Sequence, residues 1–349
     1  MDIINKIRKA SLVGRGGACF PTADKWSAVA NALPKSGKKK CYIVCNAAEG
    51  EPGVNKDGHI LENFPEQVID GIKLGLNFFK ATKAYIYINH KYYKKYKRKL
   101  TKAIGQEPIE FFIKPIDSGY IGGEESSILN AIEGKKIEPR LRPPFPTENG
   151  LWGAPTLINN VETFYNISLV NAGQYRAKRF YTINGDCLHT DVFCLADDLS
   201  IKKILQITNN YPKFPFFVQI GGDMSGEILN SKQLNRPASG SGSITVYSAK
   251  KHKSQDLIER WLNFFLNETC GQCTPCREGT YRLVEALNLP EVDWQLIVEL
   301  LDNLDETAIC GLGCAVSIPI RSYINNVLAV DNKNTWPKMK TKEACECFK

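Results

Sequence analysis

The stretch Cys41-Tyr42-Ile43-Val44-Cys45-Asn46-Ala47-Ala48-Glu49-Gly50-Glu51-Pro52-Gly53 sets the fold of the first half of this chain. Its five leading residues are apolar and partly β-branched, too short a run for a helix, and they read as a buried strand. The chain then turns abruptly to an amide, two carboxylates and the turn formers Gly and Pro. A strand ending in such a loop is how open α/β sheets build a ligand crevice. Working outward, residues 1–13 read as a short helix, and a second runs from about Asp24 to Asn31. Pro65–Phe79 has helical periodicity, and Ala84–Ile88 is another strand-like run. Strands alternating with helices predict an open α/β sheet.

Two further segments share the logic of that loop. Gly14-Arg15-Gly16-Gly17-Ala18-Cys19-Phe20-Pro21-Thr22 leads into the helix that carries Lys25. Gly119-Tyr120-Ile121-Gly122-Gly123-Glu124-Glu125 leads into a helix over Glu125–Glu133. Glycines let backbone N–H groups crowd an anion, and a helix start adds partial positive charge. The first segment lacks the Gly-x-Gly-x-x-Gly spacing of dinucleotide folds. Alone it reads equally as a structural turn or a phosphate loop. Three such loops, with the amides of Asn159 and Asn160, suggest one nucleotide-like ligand with a polar ring system.

After Thr163 the texture changes. Tyr181–Ile183, Val192–Leu195, Phe216–Ile220 and Ser243–Tyr247 are short strand candidates, with a helix over Ser200–Thr208. That order suits a small β-grasp-like α+β module. From Ser254 onward Leu257, Trp261, Phe264 and Phe265 follow helical spacing, as do Leu283, Leu287 and the run Trp294–Leu304. The last third is therefore expected to be a helical bundle, and it carries Cys270, Cys273, Cys276 and Cys310. Cys-x2-Cys-x2-Cys with one remote Cys is [4Fe–4S] spacing. Zinc sites more often pair two Cys-x2-Cys knuckles or add a His pair, and the chain has only four His. Idle buried thiols are the other alternative. Cys41, Cys45, Cys187 and Cys194 read as structural residues. Cys314 reads as an unbound neighbour of Cys310, and Cys345 and Cys347 as exposed thiols of a polar tail.

A length of 349 residues allows two or three domains. The absence of an export leader and of any long apolar run points to a reducing cytoplasm and no membrane insertion. The net charge of +8 has its densest source in Lys91–Lys99, where tyrosines interleave with lysines. A nucleic-acid footprint looks like this. Tyr92, Tyr96 and Leu100 nonetheless recur every fourth residue, so a surface helix with one buried stripe is favoured and no nucleic acid is expected.

The motifs occur in a telling order: Gly-Arg-Gly-Gly-Ala-x-Phe-Pro-Thr before Lys25-Trp26, then Cys-Asn-Ala-x-Glu-Gly-Glu-Pro-Gly, then Gly123-Glu124-Glu125. Pro139–Pro146 follows, then Gly150-Leu151-Trp152-Gly153, Asn159–Thr163 and Cys270-Gly-x-Cys-x-Pro-Cys-Arg-Glu-Gly. Over about residues 12–330, the chain resembles the FMN- and NADH-binding flavoprotein subunit of respiratory complex I (NADH:quinone oxidoreductase). It is similar also to relatives of that subunit in NAD-linked hydrogenases and formate dehydrogenases.

The resemblance implies a Rossmann-like α/β FMN domain over 1–170 and a β-grasp, SLBB-like domain over 171–250. A four-helix domain with the [4Fe–4S] cluster would span 251–330, before a flexible tail over 331–349. Gly14, Gly16, Lys25, Asn46, Gly123, Glu124, Asn159 and Asn160 would surround FMN, with Gly17, Glu49 and Tyr120 counted among the cofactor-binding residues. Phe20, Arg142 and Phe145 would face NAD(H) or NADP(H), with Glu51 and Glu125 orienting the nicotinamide. Cys270, Cys273, Cys276 and Cys310 would bind the cluster. The implied function is hydride exchange between NAD(P)H and FMN, and single-electron exchange between FMN and the cluster, inside a larger oxidoreductase. Implied partners are iron–sulfur subunits: a [2Fe–2S] thioredoxin-like subunit, or a larger one such as a hydrogenase or formate dehydrogenase. A relay subunit that no longer binds NADH is the second reading. It is motivated by departures: Ala48 replaces a family Asp, Cys19 a family Gly, and Ala28 an aromatic worth about 1 kcal/mol of adenine stacking. Arg142 stands where Lys is more usual.

Overall fold

The computed structural model describes residues 2–35 and 40–331; the expected tail, with Cys345 and Cys347, lies outside the described residues from 332 onward. The chain divides into two compact units. The first holds the described residues up to Gly50 together with Asn55–Lys178; the second holds Glu51–Val54 and the chain from Arg179.

In the first unit, helices α1 (Ile3–Lys9) and α2 (Thr22–Lys35) precede strand β1 (Tyr42–Ala47). Helices α3 (Lys56–Asn63) and α4 (Pro65–Phe79) lead to β2 (Lys83–Ile88), and α5 (His90–Ile104) leads to β3 (Ile109–Ile113). Helix α6 (Glu125–Ile132), β4 (Thr156–Asn160) and α7 (Val161–Asn171) complete the unit. The strands form one sheet in the order β3-β2-β1-β4, with every adjacent pair parallel. Parallel strands need helical crossovers that cover the faces, and β1 accordingly buries almost every residue. Helix α5 buries Tyr92, Tyr96, Leu100 and Ile104, the stripe its periodicity predicts. Helix α4 packs closely on α7 because residue 71 is glycine: a Cβ there would stand 2.0 Å from the Phe164 carbonyl oxygen.

In the second unit, β5 (Lys178–Gly185), β6 (Asp191–Ala196), α8 (Ile201–Ile207), β7 (Phe216–Ile220), β8 (Glu227–Asn230) and β9 (Ser243–Ser248) follow in turn. They form a mixed five-stranded sheet in the order β6-β5-β9-β7-β8. Strands β5 and β9 run parallel, and β7 runs antiparallel to both β8 and β9. Helix α8 supplies Ile201, Ile204 and Leu205 to a core with Tyr181, Ile183, Val218 and Val246. The helices α9 (Ser254–Glu268), α10 (Thr274–Leu287), α11 (Trp294–Thr307), α12 (Gly311–Ala315) and α13 (Ser317–Tyr323) come next. Their apolar sides bury Trp261, Phe265, Leu283, Leu301 and Leu304.

Candidate functional site

The chain leaves β1 outward through β2 to β3, then returns to place β4 on the other flank of β1. The carboxyl ends of β1 and β4 are thus a topological switch point, where open parallel sheets bind ligands. Register sets Cys45 opposite Asn159 and Asn46 opposite Asn160, so the expected amides of Asn46, Asn159 and Asn160 meet there. A recess of about 560 Å³ lined by Tyr42, Lys83, Tyr85 and Trp152 opens at the strands' amino ends instead, the wrong edge for that chemistry.

The three glycine-bearing segments converge on the switch point. In the first, Gly14 N–H donates to the Phe20 carbonyl at 2.8 Å, closing the loop. Arg15 N–H donates to Thr163 Oγ1 at 3.0 Å, and a Cβ on Gly16 would lie 3.3 Å from that of Asn160. Gly17 has φ +117°, and Cys19 has φ +52°. In the third segment the Gly123 carbonyl accepts from Asn46 Nδ2 at 2.9 Å, and a Cβ on Gly123 would meet Ala48 Cβ at 3.4 Å. Small residues therefore line the place where the segments meet, leaving the backbone approachable. That fits a flat ligand with a phosphate tail.

Charged side chains surround this crevice. Lys25 Nζ donates to Glu125 Oε2 at 2.8 Å and to the Ile158 carbonyl at 3.3 Å. Arg142 pairs with Glu124 and lies 3.3 Å from Glu125. Burial pushes the Glu125 carboxyl up, but the Lys25 and Arg142 cations outweigh it and hold the group below the usual carboxylate range. Glu124 caps α6, accepting from the N–H groups of Ser126 and Ser127 at 2.9 Å each. Phe20 and Phe145 are about half exposed, at 47% and 48%. Tyr120 borders Gly50, its Cα 3.6 Å from where a Gly50 Cβ would be.

Beneath the crevice lies a buried polar network that sequence reasoning missed apart from Glu49 and Asn160. Lys56 Nζ reaches Asp57 at 2.6 Å, Glu162 at 3.3 Å and Asn160 Oδ1 at 3.0 Å. Asn160 also donates to Asp57 Oδ2 at 2.6 Å. Glu49 accepts from the N–H groups of Asp57 and Gly58 at 2.8 and 3.2 Å, completing the α3 start, and from the Tyr92 hydroxyl. Burial, then the neighbouring Asp57 carboxylate, pushes the Glu49 carboxyl up to about 7. Glu51 belongs with the second unit. There it accepts from Met224 N–H at 2.8 Å, Ser225 N–H at 3.1 Å and Ser225 Oγ at 2.9 Å.

The candidate cluster ligands also lie in the second unit. Cys270 and Cys273 sit in the turn between α9 and α10, with Cys273 at the α10 N-cap and Cys276 buried in its first turn. A helix start favours thiolates. Cys310 is the N-cap residue of α12. Burial pushes the Cys276 thiol up to about 11; a hydrogen bond with Thr269 lowers it, and Cys273, Cys270 and Cys314 raise it. Like-charged thiols crowded at a buried position resist ionisation, and bound iron relieves this. Among the described residues no three His, Cys, Asp or Glu are arranged to hold one metal ion.

Comparison with known proteins joins the two halves. The Nuo51 FMN-binding domain model matches residues 7–169, and the iron–sulfur binding region model of NADH-ubiquinone oxidoreductase-F matches residues 256–328. Together they define an FMN-binding iron–sulfur flavoprotein. The chain is 30% identical over 396 residues to the F subunit of NADH-quinone oxidoreductase from Aquifex aeolicus, covering 98% of this chain and 87% of that protein. It is 31% identical over 372 residues to the F subunit from Rickettsia typhi, covering 93% and 86%. The chain therefore belongs to the family of NADH-quinone oxidoreductase F subunits. It also matches the structure of NAD+-reducing [NiFe]-hydrogenase in the air-oxidized state, with a TM-score of 0.85 and 27% identity over 98% of this chain and 63% of that one. In the H2-reduced state the TM-score is 0.82, over 93% and 60%. The chain thus spans about three fifths of the length of those hydrogenase chains.

Proposed function

We propose that the first unit binds FMN at the β1/β4 switch point and accepts hydride there from NADH, and that electrons then pass singly to a [4Fe–4S] cluster in the second unit. FMN takes two electrons together and releases them one at a time, and the cluster takes them singly. The protein supplies binding and electrostatics. The observation that carries the reading is the convergence of three glycine-bearing segments on Asn46 and Asn160 at the switch point.

In this reading Lys25 offers its ammonium to a phosphate, and the backbone N–H groups of the glycine segments add further donors. Asn46 and Asn160 are held by Gly123 and Lys56, so their amides are oriented before ligand arrives. Phe20 and Phe145 would stack on the adenine of the dinucleotide, and Glu125, kept ionised by Lys25 and Arg142, would accept from its hydroxyl groups. Cys270, Cys273, Cys276 and Cys310 would hold the cluster. The mixed sheet of the second unit is read as a β-grasp, SLBB-like domain and its helices as the cluster-bearing bundle, giving a three-domain division near residues 170 and 250. The partners would be iron–sulfur subunits, with the quinone reductase or hydrogenase assembled around them. Among the described residues no helix is long and apolar enough to cross a membrane.

Anaerobically isolated protein should release a yellow flavin with acid and contain iron and sulfide. Stopped-flow mixing with NADH or NADPH should bleach the flavin. A bound flavin that millimolar dinucleotide leaves unbleached would overturn the hydride step and leave a relay subunit.

A further inference from the structure

We propose that the Thr269 hydroxyl raises the reduction potential of the [4Fe–4S] cluster through a hydrogen bond to its ligand Cys276. The inference rests on the cluster reading above and adds a residue that the ligand motif does not include. Thr269 ends α9: its N–H donates to the Phe265 carbonyl at 3.1 Å, and its backbone then turns extended, with φ −63° and ψ 133°. That turn sets Thr269 Oγ1 3.2 Å from Cys276 Sγ. The same oxygen accepts from the Gly271 N–H at 3.3 Å. A hydroxyl has one hydrogen and two lone pairs, so with Gly271 on a lone pair its hydrogen is left for the sulfur. A sulfur bonded to iron carries no hydrogen, so in the loaded protein Thr269 donates and Cys276 accepts. The donor chain is fixed at its far end. Gly271 stands at φ +74°, and Arg277, one residue beyond Cys276 on α10, donates from Nη1 to the Gly271 carbonyl at 2.8 Å. Cys276 is 4% exposed, so water competes little for its sulfur, and a hydrogen bond in such surroundings is electrostatically stronger.

Hydrogen bonds to the sulfurs are among the determinants of a cluster's potential. Reduction adds one electron, and part of the added negative charge falls on the ligand sulfurs. A donor at Cys276 therefore holds the reduced form more tightly than the oxidised one. The proton stays on Thr269 Oγ1 throughout, and no bond to iron is made or broken. Thr269 is thus a positioning residue, acting on the iron through Cys276.

The test is anaerobic reconstitution of the full chain with iron and sulfide, in the wild type, Thr269→Val and Thr269→Ser. Iron and sulfide content report loading, and a dithionite titration followed by electron paramagnetic resonance gives the midpoint potential. Valine keeps the shape and removes the hydroxyl. Thr269→Val should load as the wild type does and be harder to reduce by about tenfold in the one-electron equilibrium, a fall of about 59 mV. Thr269→Ser, which restores the donor, should titrate near the wild type. A loaded Thr269→Val with the wild-type potential refutes the inference. So does a Thr269→Ser whose potential falls as far, since the methyl group and not the hydroxyl would then matter. Thr269→Ala stands in for a valine variant that takes up no iron; failure of both to load refutes the inference as well, making the hydroxyl a requirement of assembly. A wild type that takes up no iron would sink the cluster reading itself.

Discussion

Tyr92 reaches Glu49 only because residue 58 is glycine. The Tyr92 hydroxyl donates to the Glu49 carboxylate, and a Cβ on Gly58 would stand 2.6 Å from Tyr92 Cζ. Glycine inside α3 costs about 1 kcal/mol of helix propensity relative to alanine. That sacrifice admits the ring of a residue from α5.

Gly58→Ala should therefore destabilise the protein despite the better helix former. Overpacking costs about 1–3 kcal/mol, and losing a hydrogen bond to a charged group costs about 1.5–3 kcal/mol. The sum exceeds the propensity gain, so a net loss of roughly 2 kcal/mol or more is expected in denaturant titrations. A variant as stable as the wild type would show that Tyr92 moves aside without cost.

Glu49 also sets a pH dependence. Its carboxyl is raised in the folded protein from an ordinary 4.5 to about 7, by burial and by Asp57. Between those values the folded state keeps a proton that the unfolded chain has released. Folding stability from this group is therefore full below about pH 4.5 and lost as pH rises toward 7. Asp57 is raised as well, by burial first, and acts with the same sign. Melting temperatures should fall across this window, and Glu49→Gln should flatten the slope. An unchanged slope in the variant would exonerate Glu49.

Lys56 is the cation of the buried network, facing Asp57 and Glu162. Lys56→Met should cost about 3–5 kcal/mol, because the carboxylates are left buried without their partner. It also frees Asn160 from the Nζ that holds its Oδ1, so flavin retention should fall alongside stability. Gel filtration with flavin absorbance and a thermal melt read both effects.

Cys19→Gly should be stabilising. The residue sits at φ +52°, where an L side chain costs about 1–2 kcal/mol and glycine almost nothing. The gain is offset by the looser unfolded chain of a glycine, so an increase of about 1 kcal/mol or less is expected. A shifted urea midpoint with an unchanged slope is the measurement.

Much of the architecture was legible where periodicity is local. Pro65–Phe79 is α4 residue for residue, and the Tyr92, Tyr96, Leu100 stripe is the buried side of α5. Strands β3 and β4 were not. Strand β3 is half exposed at the sheet edge, and β4 ends in Asn159 and Asn160, whose amides advertised a ligand and hid a strand. The close spacing of Cys270, Cys273 and Cys276 can be read locally, whereas Cys310 stands well apart from them in the chain. The Lys56 network was not, since Lys56 and Asn160 lie 104 positions apart and nothing near either residue signals the other. Glu51 shows the same limit: its donors at Met224 and Ser225 are more than 170 positions away. The family motif marks it for the dinucleotide, and its carboxylate oxygens are already engaged by backbone and hydroxyl donors.

The grouping of residues 51–54 with the second unit constrains how this polypeptide can be dissected. A gene truncated after Lys178 would still encode that excursion yet remove the Met224 and Ser225 amides that hold Glu51, so its product should show a protease-sensitive segment just past Gly50. Expressing the downstream half alone would leave those same donors facing water. Neither fragment is a faithful miniature, and complementation between separately made halves is the more informative cut.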